Sequence, residues 1–269
     1  MINDYLMEEK LPLFWCAGCG NGIVLGSIVR NMDKLQWERE NSVVCTGIGC
    51  WGKADDYIRT NTFHGTHGRA LAFSTGIKLA NPKLNVLTLM GDGDGTTIGG
   101  NHLIHCARRN VDLTAIIVNN LNYGMTGGQY SGTTPKGAKT KTSVYGHVEE
   151  GFDVCKLVAG AGGSFVARGT AFDVPQLDKL INQAMQHKGF SLVEVIAPCP
   201  THFGKNNKLG KAGPMLQWIK ENTVPKAKAD SMTREELHGK FVTGVFVDEE
   251  REDYSTAYQK ISDSLKGDN

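Results

Sequence analysis

Asn85-Val-Leu-Thr-Leu-Met-Gly-Asp-Gly93 and, further on, Leu113-Thr-Ala-Ile-Ile-Val-Asn-Asn120 decide the fold. Each is a short apolar run of strand length that stops at a polar or glycine-rich turn. Residues 101–109, between them, read as a helix. The unit is therefore strand, helix, strand, with the polar ends of both runs at the carboxyl edge of parallel strands, where open α/β sheets bind ligands.

The residues at that edge suit a hard cation held against a diphosphate. Asp92 offers a carboxylate, Asn120 an amide oxygen, and Asn122 a backbone carbonyl that the chain can turn inward. An octahedral ion such as magnesium takes oxygen ligands of this kind and completes its shell with phosphate and water. Gly91 and Gly93 let the backbone approach phosphates closely, and N–H groups in such a turn favour negative charge. A lone Gly-Asp-Gly is most simply a turn. Asn120 at this distance, with a strand before each half, favours a site.

Outward from this unit the alternation continues. Residues 21–33 read as a helix, 42–46 as a strand entering a glycine-rich loop, and 69–79 as a helix. Residues 130–147 read as an irregular segment near the site. Then come a helix at 154–161, a strand at 164–168, an amphipathic helix at 174–187, and a strand at 192–196 that delivers Cys199 to the same edge. Past Gly204 the chain is more charged: a short helix at 215–221, a capped helical turn at 233–237 and a strand at 241–247. This pattern predicts an α/β fold, a parallel sheet with helices on both faces. We expect residues 1–203 to form the binding domain and residues 204–269 a C-terminal extension packing on it or on a partner.

A chain of 269 residues is long enough for one large α/β core. A net charge of +1 with dispersed basic residues gives no electrostatic case for nucleic acid or a membrane surface. No apolar run approaches the roughly 20 residues that cross a bilayer. Residues 1–10 carry Glu8-Glu9 and no signal-like apolar stretch, so a cytoplasmic location is expected. Seven cysteines then argue for a reducing compartment and for metal or redox use. Thirty-three glycines are well above the usual share of about 7% and fall mostly in the motif loops.

Cys16 and Cys19 stand two residues apart in Trp15-Cys-Ala-Gly-Cys-Gly20. That spacing alone serves zinc, an iron–sulfur cluster or a redox disulfide. Cys50 and Cys199 each end a predicted strand or loop at the same edge, which favours iron–sulfur use. Cys45, Cys106 and Cys155 lie in apolar stretches and read as packing residues. Lys53, in the loop after Cys50, is either a carboxylate ligand or a solvated lysine. His64 and His67 lack a third ligand at metal spacing, so hydrogen bonding to a diphosphate or substrate is the better reading.

Gly-Asp-Gly followed at this distance by Asn resembles the thiamine diphosphate motif. The wording of Gly47-Ile-Gly-Cys-Trp-Gly-Lys53, His64-Gly-Thr-His-Gly-Arg-Ala70, Gly91-Asp-Gly-Asp94, Arg108-Arg-Asn110, Tyr123-Gly-Met-Thr-Gly-Gly-Gln129 and Pro198-Cys-Pro-Thr-His202 resembles the β subunits of 2-oxoacid:ferredoxin oxidoreductases, and most of all those acting on 2-oxoglutarate. The resemblance runs from about Trp15 to Val247. It implies thiamine diphosphate and magnesium held by Asp92, Asn120 and the Asn122 carbonyl. Gly49, Cys50, His67, Gly91, Gly93, Asp94, Tyr123, Gly124, Met125 and Thr126 would surround the cofactor. It also implies one 4Fe–4S cluster on Cys16, Cys19, Cys50 and Cys199, a substrate contact from Lys53, catalytic roles for Lys53 and His67, and a pocket shaped by Met125. The implied reaction is the coenzyme A-dependent oxidative decarboxylation of a 2-oxoacid, 2-oxoglutarate to succinyl-CoA, with electrons passed to ferredoxin. The implied partners are an α subunit, or α plus γ, that supplies the activating glutamate, together with ferredoxin and a possible ferredoxin-like δ subunit. Rival readings are a pyruvate or branched-chain 2-oxoacid enzyme, a non-redox thiamine-dependent decarboxylase, and a zinc-stabilised binding module.

Overall fold

A computed structural model of the chain describes residues 4–266. The outermost residues of both expected segments, 1–3 and 267–269, lie outside the described residues. Among the described residues, eight strands form one sheet: β1 (Ser42–Thr46), β2 (Asn61–His64), β3 (Asn85–Gly91), β4 (Leu113–Asn119), β5 (Phe165–Thr170), β6 (Phe190–Ile196), β7 (Thr223–Pro225) and β8 (Phe241–Asp248). Their order is β2-β1-β3-β4-β6-β5-β8-β7. All pairings are parallel except β5 with β8, which is antiparallel and carries a bulge between Val166 and Ala167.

The helices are α1 (Asn21–Lys34), α2 (Ala70–Ala80), α3 (Gly100–Arg109), α4 (Val154–Gly160), α5 (Val174–Gln186), α6 (Ala212–Glu221), α7 (Lys226–Ala229) and α8 (Tyr254–Lys266). The period-2 alternation of each strand sorts its side chains to two faces. On β4, Ile116 and Val118 join the core beneath α1 and α5, whereas Leu113, Ala115 and Ile117 join the core beneath α2, α3 and α4. Both faces are covered, so β1, β4, β5 and β6 are buried along their whole length. Arg30 ties α1 to α5 with two 2.8 Å bonds to the Asp178 carboxylate.

The expected elements are present within a residue or two at most ends. The 233–237 segment is a single turn closed by a reciprocal capping box: Thr233 N–H donates to Glu236 Oε2 at 2.7 Å, and Glu236 N–H to Thr233 Oγ1 at 3.3 Å. Sequence reading missed β2, β7, α7 and α8. β2 is a polar edge strand, exposed along its length, and carries no apolar run to announce it. The expectation of a parallel sheet needs one amendment, the antiparallel β8 on the β5 edge. What positions the site is the order around β1: the chain leaves it for β2 on one side and returns to β3 on the other. The loops leaving β1 and β3 therefore part at this switch point and open a crevice at the carboxyl edge.

Candidate active site and thiol cavity

The crevice is lined by Gly49, Cys50, His67, Gly91, Asp92, Gly93, Asp94, Asn120, Asn122, Tyr123, Gly124, Met125 and Thr126, together with Ile48 and Trp51. These come from the loops after β1, β3 and β4 and from the loop before α2. Every residue expected to surround the diphosphate is in this set. Lys53 is not: it lies in the short 3-10 helix Trp51–Tyr57 and pairs with Asp56 at 2.6 Å.

Asp92 immediately precedes the π-helical turn Gly93–Ile98 and is 2% exposed. Ser131 Oγ and Thr133 Oγ1 donate to its Oδ2 at 2.5 and 2.7 Å. Burial pushes its carboxyl up to about 6, against the opposing pull of these hydroxyls and the Gly93 N–H. A carboxylate so placed is costly without a cation, and a divalent ion would offset that cost. Asn120 adds a second sign of an intended ligand. Its Oδ1 is buried and has no hydrogen-bond partner among the described residues. The Asn122 side chain donates to the Asn120 carbonyl at 2.8 Å, fixing the turn that carries both residues. An orphaned amide oxygen beside a buried carboxylate fits an oxygen-seeking ion.

Gly93 is required by close approach. A Cβ there would lie 2.2 Å from the Tyr123 ring, whose hydroxyl donates to the Gly93 carbonyl at 3.1 Å. Asp94 bridges three loops. Its Oδ1 accepts from Gly68 N–H at 2.7 Å and Ile48 N–H at 3.3 Å and lies 2.5 Å from His67 Nδ1, while its Oδ2 has no partner among the described residues. His67 is thereby held in one orientation at the crevice wall. His64 sits outside the crevice, its Nδ1 3.0 Å from Asp55 and 3.1 Å from Thr46 Oγ1.

A second cavity of about 210 Å³ adjoins the first and is lined by all four expected cysteines, Cys16, Cys19, Cys50 and Cys199. Cys50, Asn120, Gly124 and Met125 line both cavities. Two long-range bonds gather the thiols: Gly20 N–H donates to the Pro198 carbonyl at 3.1 Å, and Trp15 Nε1 to the Cys50 carbonyl at 2.5 Å. The Trp15 ring packs against Trp51 and Tyr57 at 5.6 and 5.3 Å. Burial, reinforced by the neighbouring thiols, pushes Cys19 up to about 12 and Cys50 to about 11. Among the described residues no three His, Cys, Asp or Glu side chains are grouped to hold a single metal ion. The thiols border a volume instead of converging on a point. Cys45, Cys106 and Cys155 are buried within the sheet and its helices, as packing residues should be.

Sequence reasoning missed Ser131 and Thr133 as partners of Asp92, and Trp15 as the brace of the Cys50 loop. The hydroxyl run Ser131-Gly-Thr-Thr134 was the available signal for the first, and tryptophans beside two of the cysteines for the second.

Residues 47–195 match the family model described as "Thiamine pyrophosphate enzyme, C-terminal TPP binding domain". Fold and site thus define a thiamine diphosphate-binding domain. The chain is 51% identical over 258 residues to the 2-oxoglutarate synthase subunit KorB of Archaeoglobus fulgidus, covering 96% of this chain and 93% of that one. Against the subunit of the same name from Methanocaldococcus jannaschii it is 43% identical over 264 residues, covering 98% of each. A solved structure, the 2-oxoglutarate:ferredoxin oxidoreductase from Magnetococcus marinus with 2-oxoglutarate, coenzyme A and succinyl-CoA bound, superposes with a TM-score of 0.88 at 29% identity, over 98% of this chain and 90% of that one. The chain belongs to the KorB family, the β subunits of 2-oxoglutarate:ferredoxin oxidoreductase. It is an oxidoreductase subunit of a multi-subunit enzyme.

Proposed function

We propose that this chain binds thiamine diphosphate through magnesium and carries one 4Fe–4S cluster. In this reading it serves, with an α (or α plus γ) subunit, in the coenzyme A-dependent oxidative decarboxylation of 2-oxoglutarate with reduction of ferredoxin. The observation that carries the reading is the wall shared by the two cavities: Cys50, Asn120, Gly124 and Met125 face both the diphosphate crevice and the four thiols. A non-redox thiamine enzyme has no use for that adjacency.

Asp92, Asn120 and the Asn122 carbonyl hold the cation. The glycines at 49, 91, 93 and 124 admit the diphosphate, and Tyr123 and Thr126 border it. Asp94 fixes His67 by its Nδ1, leaving Nε2 for a phosphate or substrate oxygen. Cys16, Cys19, Cys50 and Cys199 hold the cluster. A four-iron cluster asks for one thiolate per iron around a volume, which suits thiols bordering a common cavity better than a single zinc ion does. The bound thiazolium supplies the electron sink for loss of carbon dioxide.

Lys53 lies outside the crevice, on its exposed pair with Asp56, so its role as substrate ligand rests on rearrangement when the α subunit covers this edge. The segment from residue 204 to the last described residue, 266, serves as an extension packing on the domain or on that partner, and a ferredoxin-like δ subunit is a further candidate component. No helix among the described residues is long and apolar enough to cross a membrane, and we place the enzyme in the cytoplasm.

The test is anaerobic co-purification with the partner subunit, followed by iron and sulfide analysis and electron paramagnetic resonance. About four irons and four sulfides per chain with a reduced-cluster signal are expected. Zinc, or a folded metal-free protein, would reject the redox reading. A rate with pyruvate equal to that with 2-oxoglutarate would reject the substrate alone.

A further inference from the structure

The thiol cavity has an outer side. The backbone between Cys16 and Cys19 is exposed, and Cys16 itself is exposed. A Cβ on Gly18 would lie 2.3 Å from the Cβ of Ala212 at the start of α6 and 3.8 Å from Pro200, the neighbour of Cys199. Both cysteine loops therefore form one continuous floor with the chain that enters α6. Over that floor opens a broad depression of about 790 Å³, lined by Ala17, Gly18, Pro200 and Thr201 on one side and by Lys205, Lys208 and Lys211 on the other. Among the described residues no acidic one lines it.

The three lysines are exposed, and among the described residues none of them has an ion-pair partner. They sit on an ordered turn, closed by Leu209 N–H to the Gly204 carbonyl at 2.9 Å and Lys208 N–H to the Lys205 carbonyl at 3.3 Å. Asn207 fixes a fourth exposed lysine beside them. Its Oδ1 accepts from Lys139 N–H at 2.8 Å, and its Nδ2 donates to the Lys139 carbonyl at 2.9 Å. Elsewhere lysines such as Lys53, Lys136, Lys188 and Lys226 are paired with carboxylates. Unpaired like charges gathered on one face produce a local field, screened over roughly 8 Å at physiological salt, that recruits a partner of opposite sign.

We propose that this lysine face is the docking surface for the electron acceptor, a small acidic iron–sulfur protein of the ferredoxin class. The proposal rests on the reading that the four thiols hold a cluster. The floor of the depression, where Gly18 and Pro200 adjoin Cys19 and Cys199, then lies beside the electron donor. An acidic carrier seated there takes one electron per encounter from the reduced cluster, which returns to its oxidised state. The lysines give the encounter speed and orientation, while the apolar floor of Ala17, Gly18 and Pro200 excludes water between donor and acceptor.

The test uses the holoenzyme assembled with its partner subunit, comparing wild type with the triple variant Lys205→Glu, Lys208→Glu, Lys211→Glu and the conservative triple Lys→Arg. Oxidation of 2-oxoglutarate with coenzyme A is followed with a bacterial ferredoxin and, separately, with methyl viologen, across a series of salt concentrations. The Glu variant is expected to raise the KM for ferredoxin about tenfold or more and to flatten its salt dependence. The viologen rate should be unchanged and the Arg variant should match wild type. An unchanged KM for ferredoxin with viologen activity intact overturns the docking surface alone. A raised KM for coenzyme A instead assigns the lysines to its phosphates and overturns the proposal, as does loss of both activities, which places the face against the partner subunit. Absence of viologen activity in wild type overturns the proposed function and, with it, the docking surface.

Discussion

Replacing Asp92 with Asn should make the cofactor-free protein more resistant to unfolding above pH 6 and abolish magnesium-dependent binding of thiamine diphosphate. The carboxyl is 2% exposed, and burial raises it from 3.8 to about 6. That difference corresponds to about 3 kcal/mol between the two protonation states. The folded value lies above the unfolded one, so the penalty is absent below pH 3.8. It grows through the window from 3.8 to about 6 and is fully present above it, where the folded protein must carry the buried charge. The amide that replaces the carboxyl carries no charge at any pH. The variant's stability relative to wild type should therefore rise by about 2–2.5 kcal/mol between pH 4 and pH 7.5 in the presence of a chelator, a shift on the order of 5–10 °C in Tm for a domain of this size. Taking the difference between two pH values cancels any constant offset from placing an amide against Ser131 and Thr133. Denaturant titrations at both pH values measure it, with isothermal titration of thiamine diphosphate and magnesium on the same samples. Parallel pH dependence in the two proteins would refute the argument, because Asp92 would then be solvated or already compensated in the cofactor-free fold.

Other outcomes follow from the same structure. Arg168→Met strips a buried guanidinium from Glu194 (2.7 Å) and Asp153 (2.6 Å) and should destabilise the fold by about 3–5 kcal/mol in urea titration, since Glu194 is 1% exposed. Gly93→Ala drives a methyl into the Tyr123 ring; we expect a loss of about 1–3 kcal/mol by thermal melting and weaker cofactor binding. Trp15→Phe keeps the ring packing on Trp51 and Tyr57 but removes the bond to the Cys50 carbonyl, so iron occupancy should fall faster on exposure to air, as read by iron-to-protein ratio. Lys53→Met breaks only an exposed pair and should leave stability within about 1 kcal/mol; a raised KM for the 2-oxoacid in the assembled enzyme would report substrate contact.

The sequence by itself determined the α/β alternation and the residues gathered at the carboxyl edge, from Gly49 to Thr126. Both depend on local signals: apolar runs of strand length, a helix between them, and glycines at their ends. The wording around the four cysteines pointed to the set that lines one cavity. Tertiary structure alone decided what spans the chain. The partners of Asp92 lie 39 and 41 residues away, in an irregular segment whose hydroxyls have no periodicity to advertise them. Asp94, the same residue type two positions on, is turned to join the loops at residues 48 and 67–68, a difference visible only once those loops are packed together. Lys53 follows Cys50 by three residues, yet the 3-10 helix turns it to Asp56 instead of into the crevice. β8 pairs antiparallel with the open edge of β5, two strands far apart in the chain whose relative direction no local pattern announces. Local patterning sets which elements form and what sits at their ends. Which of two neighbouring side chains faces the ligand depends on loops that meet only when the sheet has closed the distance between them.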